Sequence, residues 1–359
     1  MSFTYKRIVI KIGSNVLTQS NGLPDQQRIS QLVEQIVAIK KQGVEITLVS
    51  SGAVAAGRSL ITVSDKYDAI AARQLLASIG QVKLINTYAQ LFEKHDMLCS
   101  QVLVTTEDFK GRQHYLNMKN CLEILLQHHV IPIVNENDVV SVTELMFTDN
   151  DELAGLIASM LNAQALIILT NVDGIYDGNP NDEGSSIITE VADAGIDFAS
   201  FVTSGKSQFG RGGMITKSHM AQKTAKLGIA VHIANGTKDD ILINVLNNTA
   251  PHTRFIPNKT SSEKKKWIAH SEKSATGVVQ INEGAKAALI SNKATSLLPI
   301  GVVNVISDFK KGEIIKLVDE QNELIGLGIA EYGADKAKES IGQKNQKPLV
   351  HYDYLYLLS

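Results

Sequence analysis

Cysteine is scarce in this 359-residue chain: only Cys99 and Cys121 occur. Two thiols cannot staple a small scaffold or build a cysteine-rich metal site. Both are expected to be reduced core residues, Cys99 in an apolar strand-like run and Cys121 in a helical one. Long apolar runs are also missing. None reaches the ~18 residues a membrane helix requires, so no membrane partner is expected. Residues Met1 to Arg7 lack the apolar core of a secretory signal, which makes the cytoplasm the expected compartment. Charge of one sign is lacking too: a net charge of −2 gives no global pull toward nucleic acid. The nine histidines show no ligand spacing, and His128-His129 reads as the structural close of a helix. The usual phosphate motifs are absent. Gly205-Lys206-Ser207 lacks the earlier glycine of a Walker A loop, and no G-x-G-x-x-G follows a strand. If this chain binds phosphate, it uses another scaffold.

What is present is a rhythm. With 359 residues, two domains are expected. From Arg7 to about residue 250, short apolar runs alternate with longer helical patterns. Strands are expected over 7–12, 45–50, 98–104, 130–134, 165–169 and 229–234. Helices are expected over 28–42, 68–95, 113–128, 149–162 and 217–227. This alternation predicts an α/β fold, a mostly parallel sheet sandwiched by helices, with ligands at the carboxyl ends of the strands. The rhythm breaks near Pro251. Residues 251–266 are polar, end in three lysines and read as a linker. Beyond Trp267 short β-type runs over 277–281, 301–306, 313–318, 324–330 and 349–351 predict a small β-rich domain, 267–359.

Chemistry gathers at the predicted strand ends. Lys11 closes the first strand and leads into Gly13-Ser14. Lys217 follows Arg211-Gly212-Gly213-Met214-Ile215-Thr216. Each lysine adjoins glycines and hydroxyls that can bring backbone N–H groups to an anion. Between them Asp149-Asn150-Asp151 reads as an N-cap and an acidic first turn. Separated cations, glycine-rich backbone and a carboxylate between them suit phosphoryl transfer, which is mostly positioning and charge neutralisation. Ser51-Gly52-Ala53 is small-residue backbone at a strand-to-helix junction, suited to an anion or to tight packing. Asn135-Glu136-Asn137-Asp138 offers mixed donors and acceptors that suit a ligand with both an ammonium and a carboxylate; a surface turn is the alternative, and substrate recognition is favoured. Thr170-Asn171 and the following Asp173-Gly174 would shape a base and ribose pocket, or serve as ordinary turn chemistry.

These segments, in this order, resemble the amino-acid kinase family, and Arg73-Gln74-Leu75 to Gln81 resembles it as well. Ser296 to Val302 with Lys311-Gly312-Glu313 resembles a PUA domain, a small β pseudo-barrel. The resemblance implies a catalytic domain over 1–250. It implies ATP-dependent phosphorylation of the γ-carboxylate of L-glutamate to γ-glutamyl phosphate, the first step of proline synthesis. It further implies that Lys11 and Lys217 bind the ATP phosphates and that Asp151 organises them. Gly13, Ser14, Thr170, Asn171 and the loop Arg211, Gly212, Gly213, Met214, Ile215, Thr216 would line the ATP site. Ser51, Gly52, Ala53, Asn135, Asn137, Asp138 and Asn150 would hold glutamate. Mg²⁺ would be held mainly by the ATP phosphates, with no direct protein ligand. Proline is the implied feedback inhibitor, and a homo-oligomer, dimer or tetramer, is expected. The family commonly has Thr-Asp at Thr170-Asn171, Gly-Thr-Gly-Gly at Gly210 to Gly213, and lysine at Arg73. Alternatives are another member acting on aspartate, acetylglutamate or a nucleotide, or an RNA-binding protein acting through the tail. From Lys264 to Ser359 there are 13 lysines, no arginine and 11 acidic residues. That balance argues against RNA, whose contacts favour arginine.

Overall fold

The computed structural model describes residues 3–64, 66–141, 147, 149–178, 184–192, 213–258, 262–291 and 294–358. The chain forms two compact units, Met1–Thr260 and Ser261–Ser359.

The first unit is built on an eight-stranded sheet. Its strands are β1 (Arg7–Ile12), β2 (Glu45–Ser50), β3 (Cys99–Val104), β4 (Ile131–Glu136), β5 (Ala165–Thr170), β6 (Glu190–Val191), β7 (Ala230–Asn235) and β8 (Thr253–Phe255). The order is β3-β4-β2-β1-β5-β7-β8-β6. Every neighbouring pair is parallel except β7 with β8. The central strands are buried along nearly their whole length, as their unbroken Val, Ile and Leu runs require for a sheet covered on both faces. Side chains alternate across the sheet. Ile8, Ile10 and Ile12 join a core with Leu32, Val33 and Ile36 of the helix Gln26–Lys41 and with Leu84 and Tyr88 of the helix Ala69–Glu93. Lys11 therefore points to the opposite face, where the helix Asn150–Met160 packs on β1. From β1 the chain proceeds to β2 on one side and later to β5 on the other. The carboxyl ends of β1 and β5 thus flank a topological switch point, where such sheets bind ligands.

Side-chain caps fix the helix starts. Asp25 accepts a hydrogen bond from the Arg28 N–H at 2.9 Å, and Asp68 accepts one from Ala71 at 2.7 Å. The short helix Ala53–Arg58 crosses the long helix Ala69–Glu93 backbone to backbone. A Cβ on Gly80 would lie 1.8 Å from the Ala53 carbonyl oxygen, and one on Gly57 would lie 2.1 Å from that of Leu76. Only glycine allows this approach.

The second unit carries a five-stranded sheet ordered β10-β9-β11-β12-β13. Its strands are β9 (Gly277–Ile281), β10 (Val302–Ser307), β11 (Ile314–Val318), β12 (Leu324–Ile329) and β13 (Leu355–Leu357). It has its own core of Val279, Ile281, Ile315, Leu317, Leu349 and Val350.

Four sequence expectations need amendment. Residues 349–351 form no strand: Val350 makes a single bridge to Leu297, and the last strand is β13. The stretch expected to be a linker, 251–266, holds β8, paired with β7, and the start of the helix Glu263–Ala269. β4 extends through Asn135 and Glu136, because both polar side chains find buried partners there. Cys121 is exposed rather than core, and Cys99 is half-buried; both are free thiols. Among the described residues, no helix is long and apolar enough to cross a membrane.

Candidate active site

Lys11 and Lys217 meet on one carboxylate. Lys11 Nζ lies 2.7 Å from Asp151 Oδ1, and Lys217 Nζ donates to Asp151 Oδ2 at 2.6 Å. The three side chains are 6, 12 and 0 % exposed respectively. Three local features cause the meeting. Lys11 is near the end of β1 on the face away from Ile10 and Ile12. Asp151 sits in the first turn of the helix Asn150–Met160, whose N-cap Asp149 accepts hydrogen bonds from the Asp151 and Glu152 N–H groups at 2.9 and 3.0 Å. Lys217 sits in the first turn of the helix Met214–Lys226, which follows Gly213. Burial alone would push the Asp151 carboxyl up; the charges of Lys11 and Lys217 and their contacts outweigh it and hold the group at about 2. Burial works against the Lys217 ammonium as well, yet the Asp151 carboxylate and its hydrogen bond raise its pKa. Burial, then the neighbouring Asp151 charge, push the Asp149 carboxyl up, opposed by Lys217 and Lys11.

Beside this clamp runs a chain of neutral side chains. Asn150 Nδ2 donates to Ser51 Oγ at 2.9 Å and to Asn135 Oδ1 at 3.1 Å. Asn135 Nδ2 donates to Gln81 Oε1 at 2.9 Å, and the Glu136 N–H donates to Asn135 Oδ1 at 2.9 Å. Ser51 ends the turn before Gly52, whose φ of +107° is left-handed backbone that suits glycine; Ala53 then opens a helix. Asp138, beyond β4, accepts from Arg73 Nε at 3.0 Å and also from Arg73 Nη2. Asn137 is tied by its backbone N–H to the Val104 carbonyl at 2.8 Å.

A third cluster lies at the ends of β5 and β7. The Gly13 N–H donates to the Leu169 carbonyl at 3.2 Å and the Gly236 N–H to the Thr170 carbonyl at 2.7 Å. Ser14 opens a short helix there. Asn235 Nδ2 donates to Asp173 Oδ1 at 2.7 Å, and Asn235 Oδ1 accepts from the Thr237 hydroxyl at 2.6 Å. Thr170 is buried and Asn171 is exposed.

Of the site residues expected from sequence, the structure thus joins Lys11, Asp151 and Lys217 directly, and Ser51, Asn135 and Asn150 directly. Asp138 lies near them through Arg73 and Glu136, whose closest charged atoms are 3.7 Å apart. Gly213, Met214, Ile215 and Thr216 lead into Lys217. Arg211 and Gly212 lie outside the described residues. Sequence reasoning gave no role of their own to Gln81, Asn235 and Thr237, and took Glu136 only as part of its segment with Asn135 and Asp138. Gln81 is a polar residue inside an apolar helical pattern, and that was the available signal.

A parallel sheet with a two-lysine, one-carboxylate clamp at its switch point is the framework of an α/β phosphoryl-transfer protein. Residues 6–235 match the amino acid kinase family and residues 277–352 match the PUA domain. The chain belongs to the amino acid kinase family. It is 50% identical over 360 residues to a glutamate 5-kinase of Bacteroides thetaiotaomicron, covering 99% of this chain and 100% of that protein. It is 49% identical over 355 residues to a glutamate 5-kinase of Chlorobaculum tepidum, covering 99% of this chain and 98% of that protein. The solved carbamate kinase of Giardia lamblia bound to AMP-PNP superposes with a TM-score of 0.51 at 19% identity, covering 71% of this chain and 99% of that one. That likeness concerns the fold.

Proposed function

We propose that this chain is an ATP-dependent glutamate 5-kinase, transferring the γ-phosphoryl group of ATP to the γ-carboxylate of L-glutamate as the first step toward proline. The convergence of Lys11 and Lys217 on Asp151 carries the reading, and the full-length similarity to glutamate 5-kinases supports the choice of acceptor.

A carboxylate oxygen attacks the γ-phosphorus, the bond to the β,γ-bridging oxygen breaks, and its electron pair leaves with ADP. No general base is needed, because a glutamate side chain with a pKa near ~4.3 is ionised at neutral pH. The task is to overcome repulsion between two anions. Lys11 and Lys217 neutralise charge on the transferred group and the leaving oxygen. Asp151 holds both ammonium groups in place and raises the pKa of Lys217. Thr170, Asn171 and the turn from Gly213 to Lys217 line the nucleotide; Ser51, Asn135, Asn137, Asp138 and Asn150 hold the acceptor.

Asp149 Oδ2 is buried and has no hydrogen-bond partner among the described residues. A spare carboxylate oxygen beside the clamp fits a hard divalent cation. Mg²⁺ carried mainly by the ATP phosphates would add further neutralisation of their charge; in place of the expected absence of a protein ligand, Asp149 is the side chain that would steady it. Leu75 and Val82, seven residues apart on one exposed face of the helix Ala69–Glu93, support a homo-oligomer. A cytoplasmic setting follows from the use of ATP.

The test is ADP release with L-glutamate, L-aspartate, N-acetylglutamate and UMP as acceptors, with hydroxylamine to trap an acyl phosphate, with and without L-proline. Glutamate should give ADP and a hydroxamate, suppressed by proline. Preferential turnover of another acceptor would overturn the assignment.

A further inference from the structure

Arg73 is placed to do more than neutralise Asp138. It projects from the first turns of the helix Ala69–Glu93 toward the end of β4. Its Nε and Nη2 both donate to Asp138 Oδ1, and Nη2 also lies 3.7 Å from Glu136 Oε2. The two carboxylate side chains are 9 and 6 % exposed, whereas that of Arg73 is 35 % exposed. A guanidinium is a planar fork whose two edges can each grip a carboxylate. Asp138 takes one edge. Nη1, on the other edge, makes no hydrogen bond or ion pair among the described residues.

The pair is held independently of any ligand. The neighbouring Gln74 donates from Nε2 to the Val139 carbonyl at 2.7 Å, so consecutive helix residues fasten both sides of the turn that carries Asp138. The result is a fixed cation with an accessible edge against a fixed, nearly buried anion. That is the electrostatic complement of a zwitterion. One carboxylate and one guanidinium match the α-ammonium and α-carboxylate of an amino acid.

We propose that Arg73 is a specificity-determining residue that grips the α-carboxylate of the acceptor while Asp138 takes its α-ammonium. The proposal rests on the reading of the chain as a glutamate kinase. It makes the site selective for an α-amino acid rather than for any acid of the same length.

Two analogues separate the contacts. 4-Aminobutyrate is glutamate without the α-carboxylate, and glutarate is glutamate without the α-ammonium. Wild-type enzyme, Arg73→Gln and Arg73→Lys are compared by kcat/KM for the three acids, or by inhibition constants where turnover is too slow. In Arg73→Gln the preference for L-glutamate over 4-aminobutyrate should fall roughly 10- to 100-fold, the scale of a lost charge-assisted grip. The preference over glutarate should hardly move, and KM for ATP should stay constant. Arg73→Lys keeps the charge but not the fork and should fall between. It also keeps the test open if the glutamine variant does not fold. An unchanged ratio of glutamate to 4-aminobutyrate, or a collapse of only the glutarate ratio, would overturn the proposal, since Arg73 would then act solely through Asp138. Wild-type enzyme inert toward glutamate would instead sink the reading of the reaction itself.

Discussion

The two halves of the site are built from opposite materials. The clamp of Lys11, Asp151 and Lys217 consists of full charges, almost wholly buried. The neighbouring chain of Ser51, Asn150, Asn135 and Gln81 is neutral throughout, and the charges beside it, Arg73 and Asp138, pair with each other. Buried charges left unpaired are costly, so Asp151 pairs with both lysines, and the one positive charge left over suits an anion. Charge is concentrated where electron density moves during transfer. Amides stand where an acceptor must be oriented, and their direction is fixed. The Glu136 N–H identifies Asn135 Oδ1 as an acceptor, so Nδ2 must be the group that donates to Gln81.

This contrast can be broken most severely at the lysines. Lys11→Ala and Lys217→Ala should each lower kcat roughly 100- to 1,000-fold, with a smaller rise in KM for glutamate. Steady-state kinetics with unchanged kcat in both variants would remove the clamp from the chemistry. Asp151→Asn should lower kcat roughly 10- to 100-fold. It should also move the alkaline limb of the pH–rate profile to lower pH, because Asp151 is what raises the Lys217 pKa; an unmoved limb would contradict that coupling. On the acceptor side, Asn135→Ala and Asp138→Ala should raise KM for glutamate roughly 10-fold and leave kcat and KM for ATP nearly intact. An equal loss of ATP affinity would erase the distinction between the halves.

A buried network in the same unit sharpens the contrast most gently. His232 Nε2 is 3.1 Å from Tyr5 Oη, and His232 Nδ1 is 3.0 Å from His252 Nε2. Burial, then His252 and Arg254, depress the His232 pKa from 6.5 to about 3. The unfolded chain binds the proton more readily, so the stability linked to this group is present above the unfolded pKa. It is lost as pH falls from about 6.5 toward about 3. His232→Asn should therefore narrow the Tm gap between neutral and acid buffer; thermal melts at the two pH values, with an equal gap in both proteins, would refute it.

Local pattern and long-range pairing were unequally readable from sequence. β1, β2 and β9 match their apolar runs residue for residue, because continuous Val and Ile stretches mark buried strands. β6 and β8, of two and three residues, are too short to leave a period, and β8 was hidden in a polar stretch. Lys11 and Lys217 stood out one by one beside glycine-rich backbone. Nothing local states that both reach Asp151; the family resemblance implied it, and strand order accounts for it. Arg73 stood out as a departure from the family pattern, but its bond to Asp138 and that of Gln81 to Asn135 were not legible. A polar side chain in a helix reads as solvated until the facing strand is known.

The Gly57–Gly80 crossing gives the acceptor side a single lever. The rod from Ala69 to Glu93 holds Asp138 through Arg73 and Asn135 through Gln81, and it is welded to the short helix that begins just after Ser51 and Gly52. Tilting that one rod retunes the grips through Ser51, Asn135 and Asp138 together, whereas the lysines, on other elements, stay where they are.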